Sequence, residues 1–209
     1  ILEAEGDSAD RYKLAKQADA LMLFYLFDQP QMEARFQRLG YRFSAEHWLK
    51  NVDYYMERTS HGSTLSYLVH AWVLARQRPD QAWQYLLTAL DSDVGDIQGG
   101  TTAEGIHLGL MAGTVDLIQR GLTGLQARDG TIYFDPCLVG ALERVSTAMQ
   151  VFGHWIMIDV TPDALTLEFD IRWQRRAQRI PVEVRGEVVE FEPGVRKTIP
   201  LRQVAAASA

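Results

Sequence analysis

A glycine-centred segment rich in hydroxyl and imidazole groups is the first place where this sequence could do chemistry. It reads Arg58-Thr59-Ser60-His61-Gly62-Ser63-Thr64-Leu65-Ser66 and precedes a predicted helix. A helix start leaves about four backbone N–H groups without intrahelical partners, and the helix dipole makes that end electropositive. Gly62 would let an anion approach the backbone, with Ser63 and Thr64 as donors and His61 as a source of charge. The composition indicates an oxyanion or phosphate site, although a plain N-cap at Ser63 explains the same residues.

A second segment places paired glycines before a histidine, in the run Gln98-Gly99-Gly100-Thr101-Thr102-Ala103-Glu104-Gly105-Ile106-His107. Paired glycines again indicate close approach of a ligand to the backbone. Thr101 and Glu104 have the spacing of a capping box, which explains the glutamate without catalysis. His107 lies on the inward face of the predicted helix. There an imidazole is either a hydrogen-bonded core residue or, when protonated, an anion ligand.

The third candidate is the pair Lys16-Gln17, which we predict to lie within the first helix. Together the two side chains offer five N–H donors and one acceptor, a set that suits sugar hydroxyls. A lysine beside an apolar stripe more commonly extends its ammonium group into solvent. Spacing alone does not separate these two interpretations.

Composition excludes several classes of protein. The net charge of −6 argues against nucleic acid as a general partner, and we interpret the basic run at 172–179 as a solvated turn. The lone Cys137 permits no intrachain disulfide, which favours a reducing cytoplasm. No apolar run reaches the roughly 18 to 20 residues that a membrane span needs. Phosphate-loop, zinc-protease and nucleophile-elbow motifs do not occur, and we expect neither a metal nor a cofactor.

Two parts with different hydrophobic periods must position these segments. The first has helical spacing, and its predicted helices cover residues 10–28, 31–39, 44–56, 63–76, 79–90 and 102–120. The second has short alternating stretches typical of an antiparallel sandwich, with strands predicted at 131–134, 155–160, 165–169, 181–184, 188–191 and 198–201, and a partly extended segment at 138–150. We place the domain boundary between residues 127 and 128.

The same three segments resemble glycoside hydrolase family 65, the maltose, trehalose, kojibiose and nigerose phosphorylases. The resemblance covers nearly the whole chain in order, and its most specific stretch is Gly99-Gly100-Thr101-Thr102-Ala103-Glu104-Gly105-Ile106-His107. Further matches are Lys16-Gln17-Ala18-Asp19-Ala20-Leu21-Met22-Leu23, Arg58 to Ser63, Phe134-Asp135-Pro136 and His154-Trp155.

The resemblance implies the C-terminal half of an (α/α)6 barrel, followed by a small antiparallel β-sandwich. It also implies inverting phosphorolysis of an α-linked glucosyl disaccharide to β-glucose 1-phosphate and a free sugar, with inorganic phosphate as co-substrate. Carried onto this chain, Lys16 and Gln17 match positions that grip the glucosyl unit. The residues His61, Gly62, Ser63 and Thr64 match the helix start that faces phosphate, and His107 is the candidate phosphate partner.

One departure from the family pattern bears on activity. The general acid of the family is a glutamate in a Pro-Asp-Glu-Tyr-type motif upstream of the Lys-Gln pair, and no such motif occurs in these 209 residues. We therefore expect the isolated chain to be inactive as a C-terminal piece. A hydrolase that uses water and a non-catalytic carbohydrate-binding or scaffold domain are the alternatives. A homodimeric full-length enzyme is the expected assembly.

Overall fold

A computed structural model describes residues 2–8, 11–171 and 179–201. Within it the chain divides into two compact units, with the division between Thr114 and Val115. Most of the basic run, residues 172–178, lies outside the described residues, and so does the predicted turn there. No helix in the described ranges is both long enough and apolar enough to cross a bilayer.

The first unit is helical. Its α-helices are α1 (Met22–Leu26), α2 (Gln29–Arg38), α3 (Ala45–Met56), α4 (Leu65–Leu74), α5 (Pro79–Asp91) and α6 (Leu108–Asp116). The predictions for α2 to α5 are confirmed to within about two residues. Local chemistry explains their starts: Ser44 accepts from the N–H of His47 before α3, and Pro79 occupies the first turn of α5.

Helix α2 begins two residues earlier than predicted because Asp28 and Gln31 form a capping box. The Asp28 carboxylate accepts from the Gln31 N–H at 2.8 Å, and the Gln31 side chain accepts from the Asp28 N–H at 3.1 Å. Pro30 then sits in the first turn, where its missing N–H costs nothing. The proline therefore belongs to the first turn of this helix.

The prediction of one helix over 10–28 is wrong, and the error includes Lys16-Gln17. Among the described residues 11–28, only Met22–Leu26 is α-helical, whereas Ala15 pairs in parallel with Thr59 as an isolated β-bridge. The Ala15 N–H donates to the carbonyl of Arg58 at 2.8 Å, and the Ala18 N–H donates to the buried Ser66 hydroxyl at 3.1 Å. These long-range bonds satisfy the backbone groups that a helix would have used, so tertiary context overrides the apolar spacing.

The core of the first unit lies where α4 packs against α5 and α6. Leu68 and Leu74 of α4 and Leu86 of α5 are each at most 2% exposed. Gly113 of α6 lies against Leu68, since a Cβ at this glycine would come within 2.0 Å of the Leu68 Cδ2. A glycine is therefore needed for the close approach of α6 to α4.

The predicted helix over 102–120 is also wrong in its first third. A short 3₁₀ helix covers Thr101–Glu104. The helical conformation is then interrupted until α6 starts at Leu108. The break falls at Gly105, whose φ of 136° and ψ of 160° are accessible essentially to glycine alone. After α6 a π-helical turn over Leu117–Leu122 completes the segment.

The described residues of the second unit form two four-stranded sheets. Its strands are β1 (Gln126–Arg128), β2 (Thr131–Phe134), β3 (Val145–Val151), β4 (His154–Val160), β5 (Ala164–Phe169), β6 (Ile180–Val184), β7 (Glu187–Phe191) and β8 (Arg196–Pro200). The sheet orders are β1-β2-β6-β7 and β3-β4-β5-β8. All six predicted strands are confirmed. In the segment at 138–150, which we predicted to be partly extended, the strand begins at Val145. Strand β1 was not predicted.

The two sheets meet through aromatic side chains. The rings of Phe169 in β5 and Phe191 in β7 lie 5.2 Å apart, and both residues are fully buried. Burial of each phenylalanine contributes about 1.5–3 kcal/mol. Strand β5 buries alternate residues, the pattern that predicted it.

One pairing departs from the expected antiparallel arrangement. Strands β2 and β6 pair in parallel, with Ile132 opposite Val182, so the first sheet is mixed. The connection between β2 and β6 contains three strands of the other sheet. A parallel pair needs such a long crossover, which strand spacing alone did not reveal.

Candidate functional site

The Lys16-Gln17 segment and the His61–Thr64 segment lie side by side in the first unit. The Gly62 N–H donates to the carbonyl of Lys16 at 2.8 Å, and the Ser60 N–H donates to the carbonyl of Ala15 at 2.9 Å. A Cβ at Gly62 would lie 2.8 Å from the Lys16 Cγ and 3.3 Å from its Cε. The lysine side chain therefore passes over the glycine, and a larger residue there would displace it.

The start of α4 has no side-chain cap. Thr64 occupies the N-cap position, but its hydroxyl accepts no hydrogen bond from the helix, and Ser63 contributes its backbone carbonyl, which accepts from the Ser66 N–H at 3.1 Å. Among the described residues the backbone N–H groups of Ser63, Thr64 and Leu65 donate to no carbonyl or side chain. Capping by the Ser63 hydroxyl, the simpler interpretation of this segment, is therefore wrong. Uncapped N–H groups at a helix start are suited to an anion.

His61 is held in a strained position at this helix start. Its φ of 52° is left-handed, which is uncommon for a residue other than glycine. Its ring stacks on Tyr67 with centroids 4.5 Å apart, and the Gln98 amide donates to its carbonyl at 3.1 Å. The hydrogen bond from Gln98 brings the glycine-rich segment against the His61 segment. Strained backbone of this kind concentrates at binding sites.

A second imidazole lies beneath His61. His70 of α4 is fully buried, meets the His61 ring edge to face at 4.9 Å, and has no hydrogen-bond partner for either ring nitrogen among the described residues. Burial, with a smaller effect from His61, lowers the pKa of His70 to about 4. Burial also lowers the pKa of His61 and raises that of the neighbouring Tyr85 hydroxyl. The cluster is therefore uncharged at neutral pH.

The glycine-rich loop is shaped by Asp96. Its carboxylate accepts from the N–H of Gly100 at 2.7 Å and from the N–H of Thr102 at 3.2 Å. These bonds hold the pKa of Asp96 below its ordinary value. The N-cap of the short helix is Gly100. The predicted capping box, which required Thr101 as the N-cap residue, is therefore wrong. The Glu104 side chain lies outside the described part of the chain.

His107 is held by a carboxylate that sequence analysis missed. Its Nδ1 lies 2.5 Å from Asp93 Oδ1, and its backbone N–H donates to Asp93 Oδ2 at 3.0 Å. The hydrogen bond from the imidazole lowers the pKa of Asp93. Arg58, which precedes the His61 segment, stacks on Tyr54 and pairs with Glu57. The described residues contain no group of three or more His, Cys, Asp or Glu side chains able to hold a metal ion.

Comparison with known families gives two matches. Residues 1–116 match the glycosyl hydrolase family 65 central catalytic domain, and residues 125–191 match the glycosyl hydrolase family 65 C-terminal domain. The chain belongs to glycosyl hydrolase family 65. The resemblance seen in the sequence is thus confirmed.

Relatives within family 65 include named phosphorylases. The chain is 46% identical to trehalose 6-phosphate phosphorylase of Lactococcus lactis over 188 residues, 85% of this chain and 24% of the relative. It is 44% identical to an uncharacterized glycosyl hydrolase of Mycobacterium tuberculosis over 93% of this chain and 14% of the relative. It is 27% identical to kojibiose phosphorylase of Escherichia coli over 90% of this chain and 22% of the relative.

A solved structure shows the same fold. A candidate kojibiose phosphorylase from the human microbiome superposes with a TM-score of 0.71 at 23% identity, covering 91% of this chain and 25% of that one. The chain thus spans about a quarter or less of the length of these relatives.

Proposed function

We propose that this chain forms the phosphate- and glucosyl-binding part of an inverting glycoside phosphorylase. The observation that carries the proposal is the uncapped start of α4 beside the Lys16 segment, where the N–H groups of Ser63, Thr64 and Leu65 have no acceptor within the described part of the chain. Membership of family 65, whose relatives include disaccharide phosphorylases, supports the same chemistry.

In the proposed reaction a carboxylic acid protonates the leaving oxygen while phosphate attacks the opposite face of the glucosyl ring. Phosphate is already an anion, so the protein must hold it rather than activate it with a base. We assign that task to His61, Gly62, Ser63 and Thr64, together with His107. Lys16 and Gln17 bind the glucosyl unit. The acid, a glutamate in the family, has no counterpart here, so this chain alone has no phosphorolytic activity.

An α-linked glucosyl disaccharide carrying a phosphate group is the substrate that we propose first. Identity to the trehalose 6-phosphate phosphorylase is 46%, against 28% for an α,α-trehalose phosphorylase and 27% for kojibiose phosphorylases. The whole enzyme would be a cytoplasmic homodimer, to which the helical unit contributes half of an (α/α)6 barrel and the second unit a β-sandwich.

A hydrolase in which a carboxylate activates water is the second candidate, and the glycine-rich loop argues against it. Gly99-Gly100-Thr101-Thr102 stands where such a base is expected. The nearby carboxylate of Asp96 accepts two backbone N–H groups and shapes the loop instead. Phosphate as the nucleophile is therefore favoured over water.

A phosphate titration of the 209-residue chain tests this proposal. Ser63→Ala removes one hydroxyl donor and should weaken binding about three- to tenfold, the net worth of one hydrogen bond. His107→Ala should weaken it more, because it removes a ring nitrogen and uncovers Asp93. Thr88→Ala is the matched control, since the Thr88 hydroxyl donates to the Gln84 carbonyl within α5. Absence of phosphate binding in the parent chain would refute the proposal.

A further inference from the structure

Asp93 grips His107 with both of its carboxylate oxygens. Oδ1 lies 2.5 Å from the imidazole Nδ1, and Oδ2 accepts the backbone N–H of the same residue at 3.0 Å. The carboxylate side chain is only 9% exposed, while the imidazole is 30% exposed. The loop therefore fixes the orientation of the ring from its Nδ1 side and leaves the opposite side open.

This geometry decides which ring nitrogen carries the proton. A carboxylate can only accept, so Nδ1 must donate, and the neutral ring is the Nδ1–H tautomer. Nε2 then carries a lone pair and has no hydrogen-bond partner among the described residues. The carboxylate oxygens of Asp96 are occupied by the backbone N–H groups of Gly100 and Thr102 in the glycine-rich loop. In the proposed phosphate site, the Nε2 of His107 would therefore be a hydrogen-bond acceptor, whereas the N–H groups at the start of α4 would be donors.

We propose that Asp93 is a positioning residue that makes the anion site selective for phosphate over sulfate. The inference rests on the proposed phosphate site. Phosphate near neutral pH carries at least one P–OH group, which can donate to the Nε2 lone pair of His107. Sulfate has no such hydrogen and would face the lone pair with an oxygen, leaving both without a partner. A site built to accept a ligand O–H discriminates strongly against an analogue that lacks it.

Replacement of Asp93 by asparagine should switch the tautomer of His107, and so remove the preference for phosphate, while the side chain at position 93 keeps its contact with His107. The His107 backbone N–H needs an acceptor, so the amide oxygen of Asp93→Asn takes the place of Oδ2. The amide nitrogen then faces Nδ1 and donates to it, which moves the ring proton to Nε2. Asparagine in place of the carboxylate of an imidazole–carboxylate pair is known to stabilise the other tautomer in this way. Nε2 becomes a donor, which serves sulfate as well as phosphate.

Two measurements on the 209-residue chain test the inference at about pH 8, where imidazoles are ordinarily neutral. The ¹⁵N shifts of the His107 ring report the tautomer, which should be Nδ1–H in the parent and Nε2–H in Asp93→Asn. Calorimetric titrations with phosphate and with sulfate report selectivity. The parent should prefer phosphate by at least about tenfold, and Asp93→Asn should bring the ratio close to one.

Asp53→Asn is the matched control, because it removes a carboxylate that pairs with Arg78 elsewhere in the same unit. Its tautomer and its phosphate preference should equal those of the parent. A parent with the Nε2–H tautomer, or a preference that survives in Asp93→Asn, overturns the inference and leaves the phosphate site standing. If neither anion binds the parent, the proposed function and the inference fall together.

Discussion

The side-chain amide of Gln98 donates a hydrogen bond of 3.1 Å to the carbonyl oxygen of His61, 37 residues away in sequence. This single bond joins two loops that carry the glycine, hydroxyl and imidazole groups of the candidate site. The Lys16 carbonyl joins the third segment through the Gly62 N–H. Hydrogen bonds therefore connect the three segments that sequence analysis selected, at Lys16, His61 and Gln98.

Substitution of Gly62 by alanine should displace Lys16. The new Cβ would come within 2.8 Å of the Lys16 Cγ, too close for the lysine to keep its path. Affinity for glucose should fall about tenfold or more, because the displaced ammonium group loses its hydrogen bonds to the sugar hydroxyls, while the stability loss stays near 1 kcal/mol. Titration and urea unfolding measure the two effects. Unchanged affinity would show that Lys16 does not serve this site.

Protonation of His70 should destabilise the fold in acid. Because burial lowers the pKa of His70 to about 4, the unfolded chain, with an ordinary pKa of 6.5, binds this proton more tightly than the folded chain. Stability should therefore be full above about pH 7 and decline between pH 6.5 and 4, by up to about 3 kcal/mol. His61, whose pKa is also lowered by burial, acts in the same direction.

Urea unfolding across that pH range, in the parent and in His70→Phe, measures the effect. The variant should lose most of the slope between pH 6.5 and 4. A direct NMR titration of the His70 ring in the parent keeps the test valid if the variant folds poorly. A ring that titrates near its ordinary pKa would contradict the buried, neutral imidazole.

These contacts show why sequence analysis found the segments but not their geometry. Helices α2 to α5 carry clear local signals, such as Ser44 and Pro79 at their starts, so their positions followed from pattern alone. The Lys16 segment has helical apolar spacing, yet its backbone bonds to residues more than forty positions away. No local pattern predicts such long-range bonds.

Asp93 and His70 were missed for related reasons. Asp93 lies in a loop rich in acidic residues, and its bond to His107 spans 14 positions. His70 falls within the apolar run of α4, where periodicity indicates only burial. The parallel pairing of β2 with β6 likewise depends on the path of the chain through the other sheet. Local residue spacing does not identify the distant residue or strand with which a segment forms hydrogen bonds.

Close packing between α4 and α6 gives a prediction on stability alone. Gly113→Ala would place a Cβ 2.0 Å from the Leu68 Cδ2 and should destabilise the chain by about 1–3 kcal/mol. Gly109→Ala, in the same helix with open space around it, should be neutral or stabilising by up to about 1 kcal/mol. Urea unfolding compares the two variants. Equal stabilities would contradict the close contact of Gly113 with Leu68.

Exposed apolar side chains predict association of the isolated chain. Leu39 and Leu108 are each 70% exposed and Val94 is 87% exposed, all within the helical unit. Exposed apolar surface promotes association when it is contiguous. Sedimentation velocity across a range of concentrations should show self-association, which an aspartate at Leu108 should reduce. A monomer at all concentrations with a cooperative melt would contradict this prediction.

The most direct test of the anion site is a phosphate titration followed by ¹H–¹⁵N NMR. The amide signals of Ser63, Thr64 and Leu65 should shift together and saturate with one binding constant, because their N–H groups gain an acceptor. The Gly62 amide, already bonded to Lys16, should shift less. Saturable phosphate binding that leaves the three amides at the start of α4 unmoved would contradict the account.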